Sequence, residues 1–179
     1  MMSALRPASF LAGRLHGRIK MDFHALGASD SASETWSDAE LIARFERQDI
    51  SRDAWTHRAH VRTAWNYLRS RNFDDACERV ADGIAKLNSA NGIDPALFHL
   101  SVTIAWLRLV ADAAKRFGAH QSSIEFLAEN PHFNSSRLLR LFYSTALIES
   151  DEARLSFVQG DITVLPGATE RDRKLASSE

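Results

Sequence analysis

The segment "WTHRAHV" sets His57 and His60 one helical turn apart, and "FHLSVT" adds His99 further along the chain. Imidazoles three positions apart on a helix can converge, and neutral imidazole is a ligand for Zn, Fe or Cu alike. If the helices that carry them are neighbours, His57, His60 and His99 would hold one divalent transition metal, Zn or Fe, with positions open for a water or a small substrate. Trp55, Trp65, Phe98, Thr103 and Trp106 would then line a pocket beside it. The same histidines admit a metal-free reading, as an acid/base group in a small-molecule pocket with a pKa near 6.5. They also admit a structural one, each ring bonding a backbone carbonyl, Thr56 or Thr103. Burial without partners costs about 1–3 kcal/mol per unsatisfied nitrogen, so every reading requires that the rings be paired. The Glu of an H-E-x-x-H motif is missing, which excludes the common metalloprotease signature. Of the seven histidines, His16 and His24 fall in the leader. His120 in "GAHQSS" and His132 in "NPHFN" sit in turn-like stretches and suit solvated or capping positions.

Helices must position these residues, because the apolar period is close to 3.6 nearly throughout. Ser37 with Glu40 forms a capping box ahead of a first helix with Leu41, Ile42 and Phe45 on one face. A second helix is expected from about Asp53, with an apolar stripe of His57, Val61, Ala64, Trp65 and Leu68 and with Arg58, Arg62 and Arg69 on its other faces. Asn72 can cap a third helix whose seam is Phe73, Ala76, Cys77, Val80, Ile84 and Leu87. Pro95 suits the first turn of a fourth, with His99, Val102, Thr103, Trp106, Val110 and Ala113 on one face before Gly118 stops it. Shorter helices are expected over 122–129, 135–144 and 150–157. The predicted architecture is an all-α, single-domain helical bundle with a compact helical C-terminal subdomain, in which the second and fourth helices are neighbours.

Composition bounds the partners. The chain has 179 residues, 45% hydrophobic and 25% charged, at a formal charge of −1. These values fit one soluble domain and supply no excess of basic charge for nucleic acid. No apolar run reaches the roughly 20 residues needed to span a bilayer. The lone Cys77 excludes an internal disulfide and a cysteine-built zinc site, and it fits a reducing, cytoplasmic setting. Residues 1–20 carry Arg6, Arg14, Arg18 and Lys20 without an acid, as a transit peptide or a mistranslated leader ahead of Met21 would. Residues 1–36 read as leader and linker, 37–166 as the helical domain and 167–179 as a disordered, charged tail. Arg137, Arg140 and Arg154 could bind an anionic substrate, although surface charge is the commoner explanation. No G-x-S-x-G or G-x-x-x-x-G-K-[ST] motif occurs.

Together, "WTHRAHV", "RSRNFDDACERVADGIAKLNSANG", "FHLSVTIAW" and "SDEARLSFVQGDITVLPG" resemble an uncharacterised bacterial family of small helical proteins. Its members read W-T-H-x-x-H-L, later Y-H-E-T-x-T, and finally A-R-x-x-F with a downstream L-P. The resemblance spans residues 37–167 and carries over His57, His60 and His99 as the residues of interest, without an activity. Phe98 stands for the family's Tyr and Leu100 for its Glu, so a carboxylate at that position is lost here. A small-molecule ligand is the expected partner, and the metal-dependent enzyme and the metal-free binding module are the two functions to be distinguished.

Overall fold

The computed structural model describes residues 31–118 and 120–167. The expectations for residues 1–30 and 168–179 fall outside them. Among the described residues all regular structure is helical. α1 (Asp38–Glu46), α2 (His57–Ser70), α3 (Phe73–Ala90) and α4 (Leu100–Arg116) form the bundle, and α5 (Ser123–Glu129), α6 (Thr145–Ile148) and α7 (Asp151–Leu155) follow with short 3-10 turns between them. No helix among the described residues is long and apolar enough to cross a membrane.

Side-chain caps set where the helices begin. Ser37, Thr56, Asn72, Ser122 and Ser150 each accept a hydrogen bond from the backbone N–H three residues on, which satisfies one of the donors a helix start leaves free. α2 therefore starts at His57, four residues later than the pattern suggested, because Thr56 takes the cap position. The larger correction is at α4. Pro95–Leu97 is a separate 3-10 turn, Phe98 is extended, and His99 is itself the N-cap, its ring accepting from the Val102 N–H. His99 thus lies ahead of the helix rather than on its apolar face.

α4 is the central helix, packed on α2, α3 and α7. Its buried positions, from Ile104 through Leu107, Arg108 and Val110 to Ala113, go round the cylinder, as in a helix covered on several sides. Against it, α3 presents the expected seam, with Ala76, Cys77, Val80, Ile84 and Leu87 all buried. Burial pushes the Cys77 thiol up to about 12, so this cysteine is an inert core group. The C-terminal segment is tied to α4 through Ser101, whose hydroxyl donates to the Ser156 carbonyl at 2.8 Å and accepts from the Val158 N–H at 3.0 Å.

Two features of the N-terminal half depart from expectation. Residues 31–36, read as linker, hold a 3-10 turn, Ala32–Thr35, with Ser33 buried. Arg62, placed off the apolar stripe of the second helix, is 1% exposed and is the largest fully buried side chain among the described residues. Its Nε donates to Ser123 Oγ at 2.9 Å, Nη1 to the Ser33 carbonyl at 2.7 Å, and Nη2 to the Trp36 carbonyl at 2.7 Å and Asp38 Oδ1 at 3.2 Å. Asp38 in turn accepts from the Ser123 N–H and hydroxyl. Burial acts to raise the Asp38 carboxyl, but the hydrogen bonds from Ser123 and Arg62 outweigh it and hold the group below the usual carboxylate range. One guanidinium joins the N-terminal turn, α1, α2 and α5.

Where α1 crosses α3, Gly83 is required by close approach. A Cβ there would stand 2.3 Å from Phe45 Cζ, and that ring is held between Trp55 and Tyr67, at centroid distances of 5.3 and 6.0 Å. Gly83→Ala should lower stability by about 1–2 kcal/mol, overpacking outweighing the gain in helix propensity. Urea denaturation reads this directly. An unchanged or raised midpoint would mean that the Phe45 ring shifts freely.

Candidate functional site

The three sequence-predicted ligands do not assemble as a metal centre. His57 directs Nε2 at the Phe133 carbonyl at 3.0 Å and packs against the edge of Trp106, with 4.6 Å between ring centroids. His60 directs Nδ1 at the carbonyl of Thr56, one turn back, at 2.8 Å, and its ring lies 4.1 Å from that of Trp55. His99 is occupied at both nitrogens: Nε2–H donates to the Ile148 carbonyl at 2.6 Å and Nδ1 accepts from Val102 N–H at 3.3 Å. A carbonyl oxygen can only accept, so each of these rings donates from the nitrogen that faces it, and His99, which also accepts at Nδ1, is thereby a neutral imidazole with its proton on Nε2. Binding a metal through His99 would break its cap or its bond to α6. Among the described residues, no group of three or more His, Cys, Asp or Glu residues is placed to hold a metal ion. The three histidines expected to hold Zn or Fe each face a separate backbone carbonyl.

Burial moves these rings in one direction. His57 is pushed down to about 4, chiefly by burial, with the Phe133 carbonyl acting against it and the Arg58 charge adding to it. His60 is likewise pushed down to about 4 by burial, opposed by the Thr56 carbonyl and reinforced by the neighbouring His57. His99 is lowered as well, burial again leading. Neutral at pH 7, they are poor general acids there.

The predicted pocket residues also separate. Trp55 is stacked on Phe45, Trp106 packs on His57 and Phe133, and Phe98 is half-buried against the core. Thr103 donates its hydroxyl back to the His99 carbonyl at 3.0 Å. Trp65 alone of the five lines a half-open groove of about 370 Å³, at the other end of the α2–α4 pair. The two helices run in the same direction: His57 near the start of α2 meets Trp106 in mid-α4, while the last turns of both form the groove.

From α2 come Trp65, Leu68 and Arg69, and from α4 come Ala111, Ala114 and Lys115. Gly118, His120 and Gln121 close the third side. The two alanines leave a slot where larger side chains would fill the space between helices. Gly118 holds φ at +90°, a left-handed conformation that a side chain would strain, and so turns the chain off α4 and round the groove. Arg69 lies over the Trp65 ring, 5.3 Å from its centroid, and donates to the Gln121 carbonyl at 3.1 Å. His120 is 6% exposed. Its Nε2–H donates to Glu129 at 3.0 Å, its ring meets Phe126 edge-on at 5.3 Å, and its Nδ1 is buried with no hydrogen-bond partner. Sequence reasoning missed this region because Arg69 falls off the apolar stripe of its helix, His120 reads as a surface turn and Gly118 as a helix stop. Ala111 and Ala114, one turn apart on one face of the fourth helix, were the available signal. Comparison with protein-family models, curated proteins and solved structures gives no match to this chain.

Proposed function

We propose that this chain is a metal-free helical module that binds a small molecule in the groove between the C-terminal turns of α2 and α4. One observation carries the reading: the groove, about 370 Å³ and walled by Trp65, Leu68 and two alanines with polar groups at its rim. Its volume is within the range of small-molecule sites, which are mostly apolar with a few polar groups that orient the ligand. At roughly 30 Å³ per water it has room for about a dozen waters, which suits a ligand of on the order of ten heavy atoms. In this reading His57, His60 and His99 keep structural roles, each pairing a carbonyl between elements or within one.

The test maps backbone amide shifts by NMR while a mixture of small organic fragments is added. Shifts should cluster on residues 65–69, 111–118 and 120–121. Shifts confined to the surroundings of His57 and His60 would move the site there, and none at any fragment concentration would remove the module reading. A parallel titration with Zn(II) or Fe(II) should leave the melting midpoint unchanged. Stoichiometric metal uptake that His60→Ala abolishes would restore the metal-dependent enzyme in its place.

A further inference from the structure

We infer that the groove selects a small organic anion, a carboxylate on a short apolar body; this rests on the proposed binding role of the groove. The argument is charge complementarity at an apolar slot. Two cations, Arg69 and Lys115, stand on opposite walls, one from each helix, and no Asp or Glu lines the groove. The acids nearby are turned to other partners: Glu129 accepts from His120 at 3.0 Å, Glu125 accepts from the Gln121 N–H at 2.5 Å, and Asp112 is paired with Arg116 at 2.8 Å. The C-terminal ends of α2 and α4 both point a partial negative charge this way, and the basic residues of their last turns, Arg69 on α2 and Lys115 and Arg116 on α4, offset it. Arg69 uses one donor on the Gln121 carbonyl and rests on Trp65, which orients the planar fork and leaves its remaining N–H donors for a carboxylate. Below the cations the wall becomes apolar, with Trp65, Leu68, Ala111 and Ala114. A bare inorganic anion would leave that surface wet. A monocarboxylate with several carbons would bind its head to the two cations and bury its tail on the indole and the alanines, where each buried methylene adds about 0.8 kcal/mol.

Four probes with defined differences test this: hexanoate, hexanamide, hexylammonium and inorganic phosphate, each titrated into the full chain and followed by amide shifts at residues 65–69 and 111–118. Hexanoate should bind about fivefold more tightly than hexanamide, the fold-change that the upper end of an exposed charge contact gives. Hexylammonium and phosphate should bind more weakly than either. Lys115→Gln, at an exposed position, should bring hexanoate down to the affinity of hexanamide and leave the melting midpoint in place. If hexanamide matches hexanoate at the same residues, the groove remains a binding site and the anion selectivity is overturned. Phosphate binding as tightly as hexanoate would overturn the apolar body. If no probe shifts these residues, both the selectivity and the proposed site fall together.

Discussion

Arg62→Met should lower the stability of this domain by about 3–5 kcal/mol and its melting midpoint by roughly 10–20 °C, the largest effect expected of any single side chain here. Methionine has enough volume to fill much of the space, so the loss is electrostatic rather than a cavity. It leaves the Ser33 and Trp36 carbonyls without donors and Asp38 without its cation, in a site where Arg62 is 1% exposed. Breaking such a pair costs far more than the pair contributes, because the remaining polar groups stay buried and unpaired. Arg62→Lys should recover little, since one ammonium cannot reach Ser123, Ser33, Trp36 and Asp38 as the planar fork does. The double variant Arg62→Met with Asp38→Asn should lose less than the sum of the two, because the second change removes the stranded charge. The N-terminal turn at 32–35 depends on the same contacts, so Arg62→Met should also expose it to proteolysis at 25 °C. A single variant within about 1 kcal/mol of the parent would show that this network does not hold the N-terminal half together.

Arg62 also marks the boundary of what the linear pattern reveals. α3 was legible because its determinants are local: the Asn72 cap and its seam lie within one stretch of chain, and the structure uses them as read. The neighbour relation of α2 and α4 was legible for a similar reason, each needing to bury an apolar stripe. Arg62 was not, since its partners lie 24 to 61 residues away and nothing local separates a buried arginine from a solvated one. His99 misled through a smaller ambiguity. Pro95 can open a helix, and the pattern then continues smoothly through 99; what breaks it is the extended backbone at Phe98 and His99, where the ring takes over the capping task usually done by Ser or Asn. That shift took His99 off the helix face and tied its ring to the Val102 N–H and the Ile148 carbonyl. The groove was illegible for a third reason. Its walls come from the ends of two helices with Gly118, His120 and Gln121, and a gap between helices is defined by absent side chains, which hydrophobic periodicity does not register.

The histidines that the sequence singled out should instead appear as the source of acid sensitivity. In the unfolded chain each titrates near 6.5, whereas in the fold His57 and His60 are pushed down to about 4 by burial. Between these values the unfolded chain binds more protons than the native one, so stability must fall as pH drops from about 6.5 towards 4 and level off below that. Each ring can contribute up to about 3 kcal/mol to the fall, at 1.36 kcal/mol per pKa unit. His99, lowered in the same direction, adds to the same window. The loss belongs to the histidines because a carboxylate such as Asp38, held below its ordinary range, is given up at lower pH. Urea midpoints at pH 7.0, 5.5 and 4.5, measured with a chelator present, should therefore decline steeply across the series. His57→Gln can still donate to the Phe133 carbonyl and His60→Asn to the Thr56 carbonyl, yet neither titrates; each should be somewhat less stable at pH 7 and show a visibly flatter decline. The double variant should be nearly flat down to pH 4.5 apart from the share of His99. Equal stability of the parent at pH 7.0 and 4.5 would mean that both rings protonate within the fold, and the same flat profile would return them to candidacy as proton-transfer groups.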